Sequence, residues 1–220
     1  MTFINLSFSA HVDGSTLGIT SRPRGSDLTF FFLVLKRYQM RMAHTVIDCM
    51  VKIRKGIADG DARGLKEVTS MCTSQLAVEE QPVYFTLALL SYVLAKLIQK
   101  PRYRIPRLFA GVTQKVAKAE DFVRKNMQAD AQQALDAALN DIALIEKRDP
   151  HFVFNIVEKG RTKIAALLYA QGLSLARSVS LTGAQKQEVL DYSGKTMMAD
   201  RFGKAVPVSE RLKYARKILR

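Results

Sequence analysis

The sequence predicts an all-α protein, a helical bundle followed by a C-terminal helix-turn-helix region. From Val46 onward, apolar residues recur at three- and four-residue spacing, the signature of one buried helix face. No stretch alternates apolar and polar residues over a length that argues a strand, and no hairpin pair joins two such stretches. Gly60, Pro82, Pro101 and Pro150 punctuate the periodic segments. The chain has 220 residues, 48% of them apolar and 25% charged, which excludes disordered, collagenous and mucin-like classes. It carries no repeat of fixed period.

Residues 1–41 stand apart. The first 26 are rich in Ser, Thr and Gly and end in Arg22-Pro23-Arg24-Gly25-Ser26, so disorder is expected there, or a non-native extension ahead of a start at Met40 or Met42. The apolar run Leu28 to Leu35 is far below the roughly 20 residues that cross a bilayer, and no Lys or Arg precedes it until Arg22, against the pattern of a secretory leader. The run from Val83 to Leu97 is also too short and is interrupted by Lys96. A cytoplasmic protein with reduced cysteines and no membrane partner is expected.

The bundle is expected over 42–158. Its first helix shows Val46, Ile47, Met50, Ile53 and Ile57 on one face and stops at Gly60 beside Asp59 and Asp61. Leu65, Val68, Met71, Cys72 and Leu76 predict a second, short helix. Pro82 suits a first helical turn, where a missing N–H has no cost, and the helix after it is apolar nearly all round, as a central helix must be. Pro101 ends that helix. Phe109, Val112, Val116, Ala119 and Val123 predict the next; Ala131, Leu135, Ala138, Ile142 and Ile145 predict another, ended by Asp149-Pro150. A further helix is expected from about Phe152 to Gln171.

Charge points to partners rather than to fold. Thirty-four Lys and Arg against 20 Asp and Glu leave a net charge of +14, which favours polyanions and, first among them, nucleic acid. The basic loop from Lys100 to Arg107 holds Arg102, Arg104 and a single aromatic, Tyr103, without an acid. Tyr103 either stacks on a base or is pinned into the bundle by the flanking prolines Pro101 and Pro106.

Residues 159–220 hold the main functional signal, within Lys163 to Tyr192. Gly172 can end one helix, Ser174 can cap the next over Leu175–Leu181, and Gly183 supplies a tight turn. Ala184, Val189 and Tyr192 then fall where a second helix touches its partner. In the run Gly172-Leu173-Ser174-Leu175, continued by Val179 and Gly183, the segment resembles the helix-turn-helix of small prokaryotic antitoxin-type regulators. It departs from their pattern at Val179, where Ala is usual, and at Gln185, where Ser or Thr caps the recognition helix. The resemblance implies that Gln185, Lys186 and Gln187 face base edges and that Arg177 and Lys195 grip phosphates. A last helix, capped by Ser209, adds Arg211, Arg216 and Lys217 to the phosphate contacts. The same segment also reads as a plain αα-hairpin packed on the bundle.

The expected function is therefore double-stranded DNA binding by a regulator, with DNA a better partner than RNA. A homodimer fits two half-sites one helical turn apart. The alternative is a helical protein–protein adaptor, or an RNA-binding protein, with a basic surface. No catalytic constellation is expected. Gly172-Leu173-Ser174-Leu175-Ala176 lacks the strand and the downstream His of a nucleophile elbow, and Gly194-Lys195-Thr196 has Val189 where a phosphate-binding loop needs glycine. His11, His44 and His151 never cluster, and Cys49 and Cys72 are too few for a zinc site, so neither metal nor cofactor is expected.

Overall fold

The computed structural model describes residues 43–148 and 155–196, together with a short backbone pairing near the N-terminus. The chain divides into two compact units, Met1–Met42 and Ala43–Arg220. In the first, His11–Val12 pairs antiparallel with Ser15–Thr16, a ladder of two residues per strand that the sequence pattern did not announce. The predicted helix capped by Ser209 lies outside the described residues.

The second unit is all-α across the described residues. Its helices are α1 (43–59), α2 (Ala62–Glu79), α3 (Pro82–Ile98), α4 (Ala110–Arg124), α5 (Gln128–Arg148), α6 (Ile156–Ala170), α7 (Leu175–Thr182) and α8 (Lys186–Thr196). None of the described helices is long and apolar enough to cross a membrane.

The centre is α3. Pro82 occupies its first turn, as the missing N–H allows, and twelve of its 17 residues are buried. α2, α5 and α6 all pack against it. Leu87, Leu89, Leu90, Leu94 and Leu97 are fully buried, which is how a helix without a polar face becomes stable in water.

α2 runs past the apolar span Leu65–Leu76 at both ends, and two threonines within that span are buried. Thr69 donates to the Leu65 carbonyl at 3.0 Å and Thr73 to the Thr69 carbonyl at 2.7 Å, satisfying each hydroxyl within the helix. Thr69 also bonds Ser91 of α3 at 2.9 Å, so the α2–α3 seam carries a buried polar pin. Asp61 caps α2 by accepting from Arg63 N and Gly64 N.

The α4–α5 pair is tied by Lys115 to Asp141 at 2.6 Å and joined to α3 by Gln132 to Thr86 at 2.8 Å. Glu120 of α4, 6% exposed, accepts from Arg54 of α1 at 2.7 Å and from Arg124 at 2.6 Å, so its buried charge has two cations. Cys49 of α1 and Cys72 of α2 are 23 residues apart in the chain yet meet in the core as free thiols. The hydrogen bond between them lowers the Cys49 pKa and, with burial, raises that of Cys72.

Candidate nucleic-acid interface

The segment from α6 to α8 builds its own small core. Ala165, Ala166 and Leu167 of α6 meet Ala184 and Val189, with Ala170, Leu175, Val179 and Tyr192 packed around them. Small side chains on α6 let the two following helices lie close. On its opposite side α6 approaches α3 at Gly160, where an added Cβ would stand 2.6 Å from Leu89 Cδ1 and 3.0 Å from Tyr92 Cδ1. One helix thus serves two interfaces.

The turns follow from local chemistry. Ser174 accepts at its side-chain oxygen from Arg177 N at 3.2 Å and opens α7. Gly183 ends α7 at φ 66°, in the left-handed region that favours glycine, and its N–H donates to the Val179 carbonyl at 2.8 Å. Thr182, almost fully buried, donates to the Ser178 carbonyl and accepts from Ala184 N. Three residues separate α7 from α8, and the Gln185 carbonyl accepts from Val189 N at 3.1 Å to start α8.

Two side chains of α6 fix this turn from below. Arg161 donates to the Thr182 carbonyl at 2.8 Å while its guanidinium lies 5.5 Å from the Phe85 ring centre. Thr162 donates to Glu188 in the first turn of α8 at 2.9 Å. Neither contact has a signal in the sequence, because each joins residues more than twenty positions apart.

The residues expected to read bases are all exposed and gathered at the start of α8. Gln185 precedes the helix, and Lys186 and Gln187 open it. Gln187 donates to Asp191 at 3.0 Å, one turn on, which orients its amide. Lys195 is exposed in the last turn of the same helix. Arg177 is placed on α7, where its guanidinium meets Glu80 at the end of α2: Nε donates to Oε1 at 3.0 Å and Nη2 to Oε2. The Arg177 guanidinium holds the Glu80 carboxyl below the ordinary carboxylate range. Arg211, Arg216 and Lys217 lie outside the described residues.

The second basic patch forms two 3₁₀ turns, Pro101–Tyr103 and Pro106–Phe109. Arg102, Arg104 and Arg107 are exposed and Lys100 is half-buried just before them. Tyr103 is 4% exposed. Its ring is pinned into the bundle, and of the two roles open to it, stacking on a base is the one this burial removes. Beside it lies a pocket of about 130 Å³ lined by Ile57, Asp59, Ile98, Tyr103, Arg104 and Phe109.

On α3 stands Tyr92, a residue without a signal in the sequence. Lys96 Nζ lies 5.9 Å and Lys163 Nζ 5.4 Å from its ring centre, and burial pushes its phenol up to about 12. Among the described residues no three His, Cys, Asp or Glu side chains converge to hold a metal.

Compared with protein-family models, curated proteins and solved structures, the chain matches none. The case for a function rests on these side chains.

Proposed function

We propose that the protein binds double-stranded DNA through α7 and α8, with the start of α8 in the major groove. The observation that carries this is the exposed trio Gln185, Lys186 and Gln187, presented on a turn fixed by Gly183, Thr182 and Arg161. Gln pairs bidentately with adenine and Lys donates to guanine, so the trio has the chemistry of base readout. The excess of cations supplies the sequence-independent part of the affinity. Lys195, Arg177 and the arginines of the 100–107 loop are described cations suited to phosphate.

Selection from a randomised duplex pool at about 50 and 200 mM salt tests this. An enriched, near-palindromic motif that survives the higher salt is expected, and it implies two copies of the chain on two half-sites. Lys186→Ala or Gln187→Ala then relaxes the preference at one position, by about 1–3 kcal/mol for that base. Absence of a motif, with binding lost at the higher salt, overturns the proposal. That result favours the second reading, a helical adaptor for a protein partner, which draws on the exposed apolar residues Val78 (81%) of α2 and Leu144 (52%) of α5.

A further inference from the structure

The pairing of Arg177 with Glu80 joins positions 97 apart in the sequence, and its geometry is that of a guanidinium fork on an anion. The two nitrogens meet the two carboxylate oxygens as they would meet the two unesterified oxygens of a phosphodiester. Glu80 is delivered from a stiff corner. It follows α2 at φ 52°, ψ 24°, a backbone region that residues with a Cβ rarely adopt, and its N–H donates to the Leu76 carbonyl at 3.0 Å. Pro82 begins α3 two residues later. A second contact, Gln171 to Ser74 at 3.5 Å, brings the α6–α7 turn against the same end of α2. The carboxylate therefore sits on a fixed support, facing the first turn of the helix that precedes the base-reading trio.

The pair is open to solvent. The Arg177 side chain is 51% exposed and that of Glu80 36%. Exposed pairs of this kind add little to folding stability, so the fold does not depend on keeping this one closed. A polyanion arriving at α7 can reach the guanidinium and take the place of the carboxylate without moving a helix.

We propose that Arg177 is a phosphodiester-binding site of the DNA-bound state which Glu80 occupies, as an internal stand-in for phosphate, in the unbound protein. This rests on the DNA-binding reading above. Duplex binding exchanges one anion for another on the same guanidinium. Glu80 thereby lowers affinity for every sequence by the same factor and leaves base preference untouched.

The test measures affinity of the full chain for a random-sequence duplex two to three helical turns long, between about 50 and 200 mM salt, for the wild type, Glu80→Gln, Arg177→Gln and the double variant. Glu80→Gln is expected to bind about two- to fivefold tighter with nearly the same salt slope, because Arg177 meets one phosphate in both proteins, whereas Arg177→Gln is expected to bind more weakly with a slope shallower by about 0.9, the value of one phosphate contact. In the Arg177→Gln background the same change is expected to have no effect. Circular dichroism melting of each variant confirms that it is folded, and Glu80→Ala repeats the loss of the carboxylate without a new amide. A gain that persists in the Arg177→Gln background, or no gain at all in a wild type that binds duplex, overturns the exchange and leaves the DNA-binding reading standing. Failure of all four proteins to bind duplex at the lower salt overturns both.

Discussion

The bundle around α3 and the three helices that follow it are held by different means. In the bundle, long aliphatic side chains fill the core: Leu87, Leu89, Leu90, Leu94 and Leu97 from α3 alone. Several of its buried polar groups are closed by partners, Thr69 by Ser91 and Glu120 by two arginines. The α6–α8 region has a core made mostly of alanine, with Val189 as its main α8 contribution, and relies on a cap, a left-handed glycine and two side chains reaching up from α6. A thick apolar core fixes shape through bulk. A thin one fixes it through hydrogen bonds at the turns, and leaves most of α8 exposed for other contacts.

The contrast makes three predictions of decreasing size. Leu90→Ala removes a fully buried side chain from the central helix and is expected to cost about 2–5 kcal/mol, because the space cannot collapse between helices packed on several sides. Thermal or urea unfolding is expected to show the whole second unit losing stability together. Val189→Ala removes two methyl groups from the thin core and is expected to cost about 1.5–2.5 kcal/mol. Amide hydrogen exchange is the sharper probe: α7 and α8 should exchange faster while α2 to α5 keep their protection. Equal acceleration everywhere would show that the two regions open as one and would dissolve the contrast. Ser174→Ala removes the α7 cap at a cost of about 1 kcal/mol, read as faster exchange at Arg177 N, the donor to that cap.

Much of this was legible in the residues, and the gaps have physical causes. Pro82, the unbroken apolar run after it and Pro101 mark α3 because a helix buried all round needs no polar face. Ser174 and Gly183 are legible because capping and a positive φ depend on one residue and its neighbours. α2 reads short because its ends, 62–64 and 77–79, bury no apolar residue, and the burial of Thr69 and Thr73 is silent because their hydroxyls are satisfied on backbone carbonyls of the same helix. The Glu80–Arg177 fork and the Arg161–Thr182 bond are silent in the sequence, since each depends on how distant helices dock. The exposed trio of α8 was found from its position relative to Gly183; what orients it, Gln187 on Asp191 and Glu188 on Thr162, was not.

The burial of α3 on so many sides also bears on how the chain is made. When Pro82–Ile98 leaves the ribosome, α2 is ready to cover one flank. The surfaces meant for α5 and α6 must wait for segments that begin at Gln128 and Ile156. At roughly 5–20 residues per second, the second of these follows the end of α3 by roughly 3–12 s. For that interval a run of leucines with no polar side lies open on an unfinished chain. The helix that organises the described bundle is, during synthesis, an adhesive segment waiting for its cover.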